Sequence, residues 1–273
     1  MDNPPLVLLR GGGDLASGVA LRLHRAGIRL VITELRQPLA VRRAVSFAEA
    51  VYEGQHMVEG VTARRVERDQ LIAALEAGEI PVLVDPNAEI LLSSYFFPIV
   101  IDARLIKTPP APLPIDVLLH NGLGPGFHGG VNCHAAIETR RSHTLGRVYW
   151  NGATQSDSGQ PEGDARRVLR APTDGILRAY KRIGEHCEPG ELIAAVESPG
   201  GDQRSEIRSP MTGTLRGLIR DGLAVTRGMK VGDIDPRDDP GASLLVSDKA
   251  LSIGGAVLEA VLTRQEVREL LWS

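Results

Sequence analysis

Lysine is scarce in this sequence. Only Lys107, Lys181, Lys230 and Lys249 occur, so 27 of the 31 basic residues are arginine. Any chemistry that needs an amine therefore has four candidates. Aromatic residues make up 4% of the chain, which excludes broad base-stacking platforms. A net charge of −3 leaves no basic field to hold nucleic acid or an anionic membrane. Two cysteines, Cys133 and Cys187, make no disulfide framework, and no Cys-x-x-Cys is present. The longest apolar stretches, such as Phe96–Ile101, fall far short of a membrane span. Met1–Arg10 lacks the charged start and long apolar core of a signal peptide. These absences set the expectation of a cytoplasmic protein with no nucleic-acid and no membrane partner. No Gly-x-Ser-x-Gly elbow, P-loop or zincin motif occurs either.

What is present is a chain of 273 residues, 42% hydrophobic, long enough to bury a core without disulfides or metal. It opens as strand, glycine turn, helix and strand. Leu6–Leu9 is apolar without alternation, as in a strand buried on both faces. Ala16, Val19, Ala20 and Leu23 recur with helical spacing, and Gly27 is a C-cap candidate. Ile28–Ile32 reads as the second strand. Further helices are expected at Ala40–Tyr52 and Arg68–Ala77. Further strands are expected at Val61–Val66, Val82–Val84, Ile99–Ile101 and Val117–Leu119. This alternation predicts an α/β Rossmann-like parallel sheet domain. It would span residues 1–150 plus 244–273, the helical stretch Leu244–Trp272 returning to it.

Asn151–Asp164 is almost devoid of apolar residues and reads as a linker. Beyond it Arg170–Glu197 repeats as Arg208–Asp235 at a constant offset of 38. Identical pairs include Arg170/Arg208, Pro172/Pro210, Gly175/Gly213, Leu177/Leu215, Arg178/Arg216, Gly184/Gly222 and Gly190/Gly228. Frequent turn residues suit short strands. The phrases Ala171-Pro-Thr-Asp-Gly175 and Ser209-Pro-Met-Thr-Gly213 resemble the biotinyl/lipoyl carriers. The expectation is an inserted all-β barrel-sandwich module with pseudo-twofold symmetry over residues 165–238. In those carriers the modified lysine lies between the halves. Here Ser198–Glu206 has none, so no biotin or lipoate is expected.

Two loops and an arginine group carry the ligand chemistry. Gly11-x-Gly13-x-x-Ala16 follows a strand and opens a helix, a dinucleotide-type fingerprint. Glu34, at the end of the second strand, stands where such folds bind a ribose hydroxyl. Asp14 either meets the phosphate approach or caps the helix, in which case the glycines serve packing alone. Between His120 and His143, Gly124 and Gly126 belong to a glycine-rich loop suited to an anion nest, with Arg140, Arg141 and His143 beyond it. Cys133 and His134 would point apart on a strand, so the metal question stays open. Arg36, Arg42 and Arg43 follow Glu34 and either clamp a phosphate or are solvated surface arginines. No residue is assigned a catalytic role.

Gly11-Gly-Gly-Asp-Leu-Ala-Ser-Gly18, Pro38-Leu-Ala-Val-Arg-Arg43, Phe47-Ala-Glu-Ala-Val-Tyr-Glu-Gly54, His134-Ala-Ala-Ile-Glu-Thr-Arg140 and Gly254-Gly-Ala-Val-Leu-Glu259 resemble the YqeB family. The likeness runs over nearly the whole chain. It implies an accessory role in maturing selenium-dependent molybdenum hydroxylases, which are related to xanthine dehydrogenase. The ligand would be a molybdopterin-type cofactor or a nucleotide. The partners would be an apo-molybdenum hydroxylase and a small phosphate-bearing ligand, with a homodimer also considered. The alternative is an NAD(P)-dependent oxidoreductase.

Overall fold

The apolar runs Leu6–Leu9 and Ile99–Ile101 end on Arg10 and Asp102, which stand opposite each other at one edge of a sheet. The computed structural model describes residues 5–157, 159, 164–198, 200 and 203–272. The chain divides into two compact units. The first comprises Met1–Pro38, Phe47–Ser158 and Val246–Ser273; the second comprises Leu39–Ser46 and Gly159–Leu245.

The first unit begins with β1 (Val7–Arg10), α1 (Asp14–Arg25) and β2 (Leu30–Glu34). The helix expected over Ala40–Tyr52 does not form. Short 3-10 turns at Arg43–Val45 and Phe47–Glu49 replace most of it, leaving only α2 (Ala50–Glu53). There follow β3 (Gln55–Val58), β4 (Val61–Arg65), α3 (Leu71–Glu76), β5 (Ile80–Val84), α4 (Glu89–Leu92), β6 (Ile99–Asp102) and β7 (Leu119–Leu123). The short strands β8 (His128–Gly129), β9 (Ala135–Ile137), β10 (Val148–Tyr149) and β11 (Gly152–Ala153) come next. The helices α5 (Asp248–Thr263) and α6 (Gln265–Leu271) close the unit. None of the described helices is long and apolar enough to cross a membrane.

The main sheet has nine strands in the order β10-β9-β7-β6-β1-β2-β5-β4-β3. The Rossmann-like parallel sheet expected from the sequence is corrected here, because this sheet is mixed. β3 runs antiparallel to β4 and β10 antiparallel to β9. The cause at one edge is local. Glu59 (φ 45°) and Gly60 (φ 82°) join β3 to β4 as a two-residue turn with both φ values positive, the turn that matches the twist of an antiparallel hairpin. Gln55–Val58 is too polar to announce itself as a strand.

Strand alternation sorts the two faces. Leu8, Val31, Leu83 and Val100 pack with Leu71 and Ala74 of α3 and Leu91 of α4. Leu9, Ile32, Ile101 and Asn121 point to the other face, where α1 and α5 pair. Their approach is close. A Cβ on Gly18 would lie 2.5 Å from the Ala250 carbonyl oxygen, and one on Gly254 would lie 2.5 Å from that of Gly18. Gly18 of the glycine-rich motif is thus a helix-packing residue.

The second unit holds β12 (Val168–Arg170), β13 (Gly175–Ala179), β14 (His186–Cys187), β15 (Leu192–Glu197), β16 (Arg204–Arg208), β17 (Gly213–Leu218), β18 (Ala224–Val225) and β19 (Lys230–Asp235). They form two four-stranded antiparallel sheets, β12-β19-β17-β14 and β16-β15-β13-β18. Shifting each strand of one sheet by 38 positions yields the other. Each half of the repeat therefore gives strands to both sheets, and one apolar cluster including Leu177, Leu215, Val196 and Ile234 is shared. The inserted barrel-sandwich is corrected too: these are separate sheets, with no strand pairing between them among the described residues. The repeat is visible in sequence because its glycines are required twice. Gly175 and Gly213 have φ of 153° and 155°, and a Cβ on either would strike the carbonyl oxygen of Glu197 or Asp235, themselves a repeat pair. The linker expected over Asn151–Asp164 and the lysine-free stretch Ser198–Glu206 lie partly outside the described residues.

Candidate functional site

The first glycine loop joins β1 to α1 at the carboxyl ends of the parallel strands, the edge at which open α/β sheets take ligands. Two of its glycines are occupied by the protein itself. Gly11 (φ 95°) donates its N–H to the Thr33 carbonyl at 2.8 Å. It lies against the backbone that follows β6, since a Cβ here would sit 3.3 Å from the Ala103 carbonyl oxygen. Gly12 donates to a Glu34 carboxylate oxygen at 2.7 Å, and its carbonyl accepts the Ala48 N–H at 2.8 Å. A Cβ on Gly12 would lie 2.9 Å from that Ala48 nitrogen. Ser17 completes the closure, donating to the Gly13 carbonyl at 3.0 Å and accepting the Phe47 N–H at 2.8 Å.

Gly13 differs. It is the N-cap of α1, no side chain caps the helix, and a Cβ there would meet nothing within 4 Å. Asp14 is the first helical residue and not the cap. The N–H groups of Asp14, Leu15 and Ala16 head a twelve-residue helix and carry the partial positive charge of its N-terminus. Ala16 itself is buried.

Glu34 corrects the dinucleotide reading. Its carboxylate is buried and turned back on the chain, accepting the Leu35 N–H as well as that of Gly12, each at 2.7 Å. Burial pushes its pKa above the ordinary glutamate value, and the two backbone donors pull the other way. The acid expected at a ribose hydroxyl is thus committed to the glycine loop. The close approach to Gly12, expected of a pyrophosphate, is made by the Ala48 backbone. These residues do not fit a dinucleotide laid over the loop.

The second glycine loop is also consumed by its own fold. Gly124 donates to the Ile137 carbonyl and Gly126 to that of Ile106, while His128 donates to the Asn132 side chain. A Cβ on Gly126 would lie 2.6 Å from the Thr108 carbonyl oxygen. The anion nest expected there is corrected to a packing loop. Arg140 and His143 are exposed on a segment organised by buried Glu138, which accepts the N–H groups of Arg140 and Gln155. Arg141 pairs with Asp248 through two hydrogen bonds. Arg36 is exposed beyond β2. Arg42 and Arg43 belong to the second unit. Arg42 donates to the Ala242 and Leu245 carbonyls and Arg43 to that of Leu218. The expected phosphate clamp is therefore corrected to a tether of Leu39–Ser46 within that unit.

The edge holds polar residues that motif reading passes over. Arg10 ends β1 and Asp102 ends β6, directly opposite in register. Asp102 is fully buried and Arg10 is 8% exposed. Arg10 Nη1 lies 3.4 Å from Asp102 Oδ2, and its Nη2 donates to the Asn87 carbonyl. Arg104 grips the same carboxylate, with Nε to Oδ1 at 2.9 Å and Nη2 to Oδ2 at 2.5 Å. Burial lowers the pKa of Arg10, offset by the charge of Asp102. On β7, His120 lies beside Val100 of β6, and Asn121 beside Ile101. Burial takes His120 down to about 4, so its imidazole is neutral at pH 7. The signal available in sequence was position alone: Arg10 and Asp102 each close an apolar run at the carboxyl end of a parallel strand, and His120 follows Leu119 near the start of β7.

No group of three or more His, Cys, Asp or Glu residues suited to a metal occurs among the described residues. Cys133 is buried, which pushes its thiol up to about 11. His134 Nδ1 accepts the His120 N–H at 2.8 Å.

No family model matches the chain. It is 44% identical over 267 residues to the uncharacterized protein YqeB of Escherichia coli (strain K12), a match that covers 94% of this chain and 47% of YqeB. The chain thus spans about half the length of the curated relative it matches. Among solved structures, an aspartoacylase family protein of Mesorhizobium loti is 15% identical, with 85% of each chain covered and a TM-score of 0.32. The product-bound ectoine utilization protein EutE (DoeB) of Ruegeria pomeroyi is 14% identical, again over 85% of each chain, with a TM-score of 0.28. Scores this low carry no inference about the present chain. The chain is thus similar to YqeB of Escherichia coli over nearly all of its own length and about half of that relative's.

Proposed function

We propose that this chain binds a phosphate-bearing ligand at the N-terminus of α1 and serves as a non-catalytic accessory factor in the maturation of a molybdenum hydroxylase. The observation that carries the ligand half is the contrast within one loop. Gly11 and Gly12 are filled by backbone, whereas Gly13 faces open space at an uncapped helix N-terminus. Oriented N–H groups and the helix dipole favour an anion there. The resemblance to the YqeB family supports the maturation half. In this reading the ligand is a molybdopterin-type cofactor or a nucleotide, the partner is an apo-hydroxylase, and the setting is the cytoplasm.

The test is calorimetry with molybdopterin, ATP and NAD. Binding of a phosphate-bearing ligand is expected in wild type and lost in Gly13→Val. That variant should fold, because Gly13 has ordinary extended dihedrals (φ −65°, ψ −179°) and open surroundings. No binding by wild type at high micromolar concentration would remove the proposal.

A further inference from the structure

Two side chains on one face of the sheet are buried with a nitrogen that nothing meets. Arg10 and His120 are 8% and 6% exposed. Arg10 Nε and His120 Nε2 are both shut from solvent without a hydrogen-bond partner. They share a face: β6 separates their strands, with Arg10 opposite Asp102 and His120 opposite Val100, two residues earlier. Phe127 covers the imidazole edge-on, ring centroids 5.9 Å apart.

A buried polar atom left unpaired costs about 1–3 kcal/mol, and such atoms are rare in folded proteins. Two of them on one face, flanking the same strand, invite a common explanation. The other nitrogens of Arg10 are satisfied by Asp102 and Asn87. Asp102 accepts from Arg104 at both of its oxygens and from Arg10 Nη1, and Arg10 Nε has no such partner. A neutral imidazole with its proton on Nε2 is a donor there, as Arg10 Nε always is. Two donors without an acceptor, beside a second guanidinium, describe the position of an oxyanion.

We propose that Arg10 Nε, at the carboxyl end of β1, and His120 Nε2, near the start of β7, converge on an oxyanion oxygen of the ligand, forming a contact separate from the helix N-terminus at Gly13. The inference rests on the reading above and adds the residues that distinguish ligands. A molecule carrying a second oxyanion or an acceptor next to its phosphate would engage both places.

His120→Leu is the informative variant, since leucine fills a similar volume and removes one of the two unpaired nitrogens. Without ligand it is expected to melt at a higher temperature than wild type. Its affinity for inorganic phosphate, measured by calorimetry, should fall about tenfold or more, the loss of one hydrogen bond to a charged acceptor. Arg10→Lys, which keeps the charge and lacks Nε, should weaken phosphate similarly. Acetate as a second probe separates a carboxylate site from a phosphate site. Unchanged phosphate and acetate affinity in His120→Leu, together with a lower melting temperature, would mean that a buried water fills the position and would overturn the inference. If wild type binds phosphate and Gly13→Val loses it while His120→Leu does not, only this inference fails. If wild type binds neither probe, it falls together with the proposed function.

Discussion

Glu34 accepts the N–H of Gly12 at 2.7 Å, and that bond changes what the glycine loop can do. A loop whose central N–H is taken by a buried carboxylate is braced by the protein, with only its last glycine left for a ligand. Removing the carboxylate should therefore disturb folding first. Glu34→Ala leaves the N–H groups of Gly12 and Leu35 without acceptors, and about 1–3 kcal/mol of stability should be lost in urea unfolding. NAD and NADP should leave the melting temperature of the wild-type protein unchanged.

The glycines of the first motif should separate by substitution. Gly18→Ala places a methyl 2.5 Å from the Ala250 carbonyl oxygen, an overpacking that costs about 1–3 kcal/mol. Gly13→Ala meets nothing within 4 Å, so only the N-cap preference is lost, about 1 kcal/mol or less. Equal losses in the two variants, measured by denaturant midpoint, would contradict the helix packing described.

Legibility in the sequence followed the same division. The run Leu6–Leu9 and the spacing of Ala16, Val19, Ala20 and Leu23 were readable because buried strands and amphipathic helices leave periodic apolar patterns. The repeat was readable because Gly175 and Gly213 stand where no side chain fits. The hairpin β3–β4 was not, since its strands are short and polar and its turn rests on Glu59 at positive φ. Arg42 and Arg43 misled for a topological reason. They follow Glu34 closely in the chain, yet the segment Leu39–Ser46 leaves the first unit. Arg10, Asp102 and His120 come from three distant strands, and only the register brings them together.

His186 gives the second unit a pH dependence. Its Nε2 lies 2.8 Å from Glu188 and its Nδ1 lies 2.8 Å from Asp238. Those carboxylates, Glu188 first, raise its pKa above the ordinary histidine value. A raised histidine stabilises the fold fully below its unfolded pKa of about 6.5, and that contribution is lost as pH rises through the higher folded value. Stability measured by denaturant should accordingly fall between about pH 6.5 and mildly alkaline pH, and His186→Gln should flatten the trend. A steeper decline in the variant would refute the assignment.

Asp235 acts at the other end of the scale. Hydrogen bonding from Arg237 and the charge of Arg216 hold it at about 2. Its stabilisation is present above the unfolded aspartate value, about 3.9, and is lost as pH falls through the folded one. Arg237→Ala should shift the acid-unfolding midpoint to higher pH, and an unmoved midpoint would show that Arg216 suffices alone.

The most direct test of the account is a calorimetric titration of one phosphate-bearing ligand into wild type and Gly13→Val, with both melting curves recorded. The account predicts binding by wild type and none by a variant whose melting curve is nearly that of wild type. Equal binding by the two proteins would contradict it, because the open end of α1 would then not be where the phosphate sits.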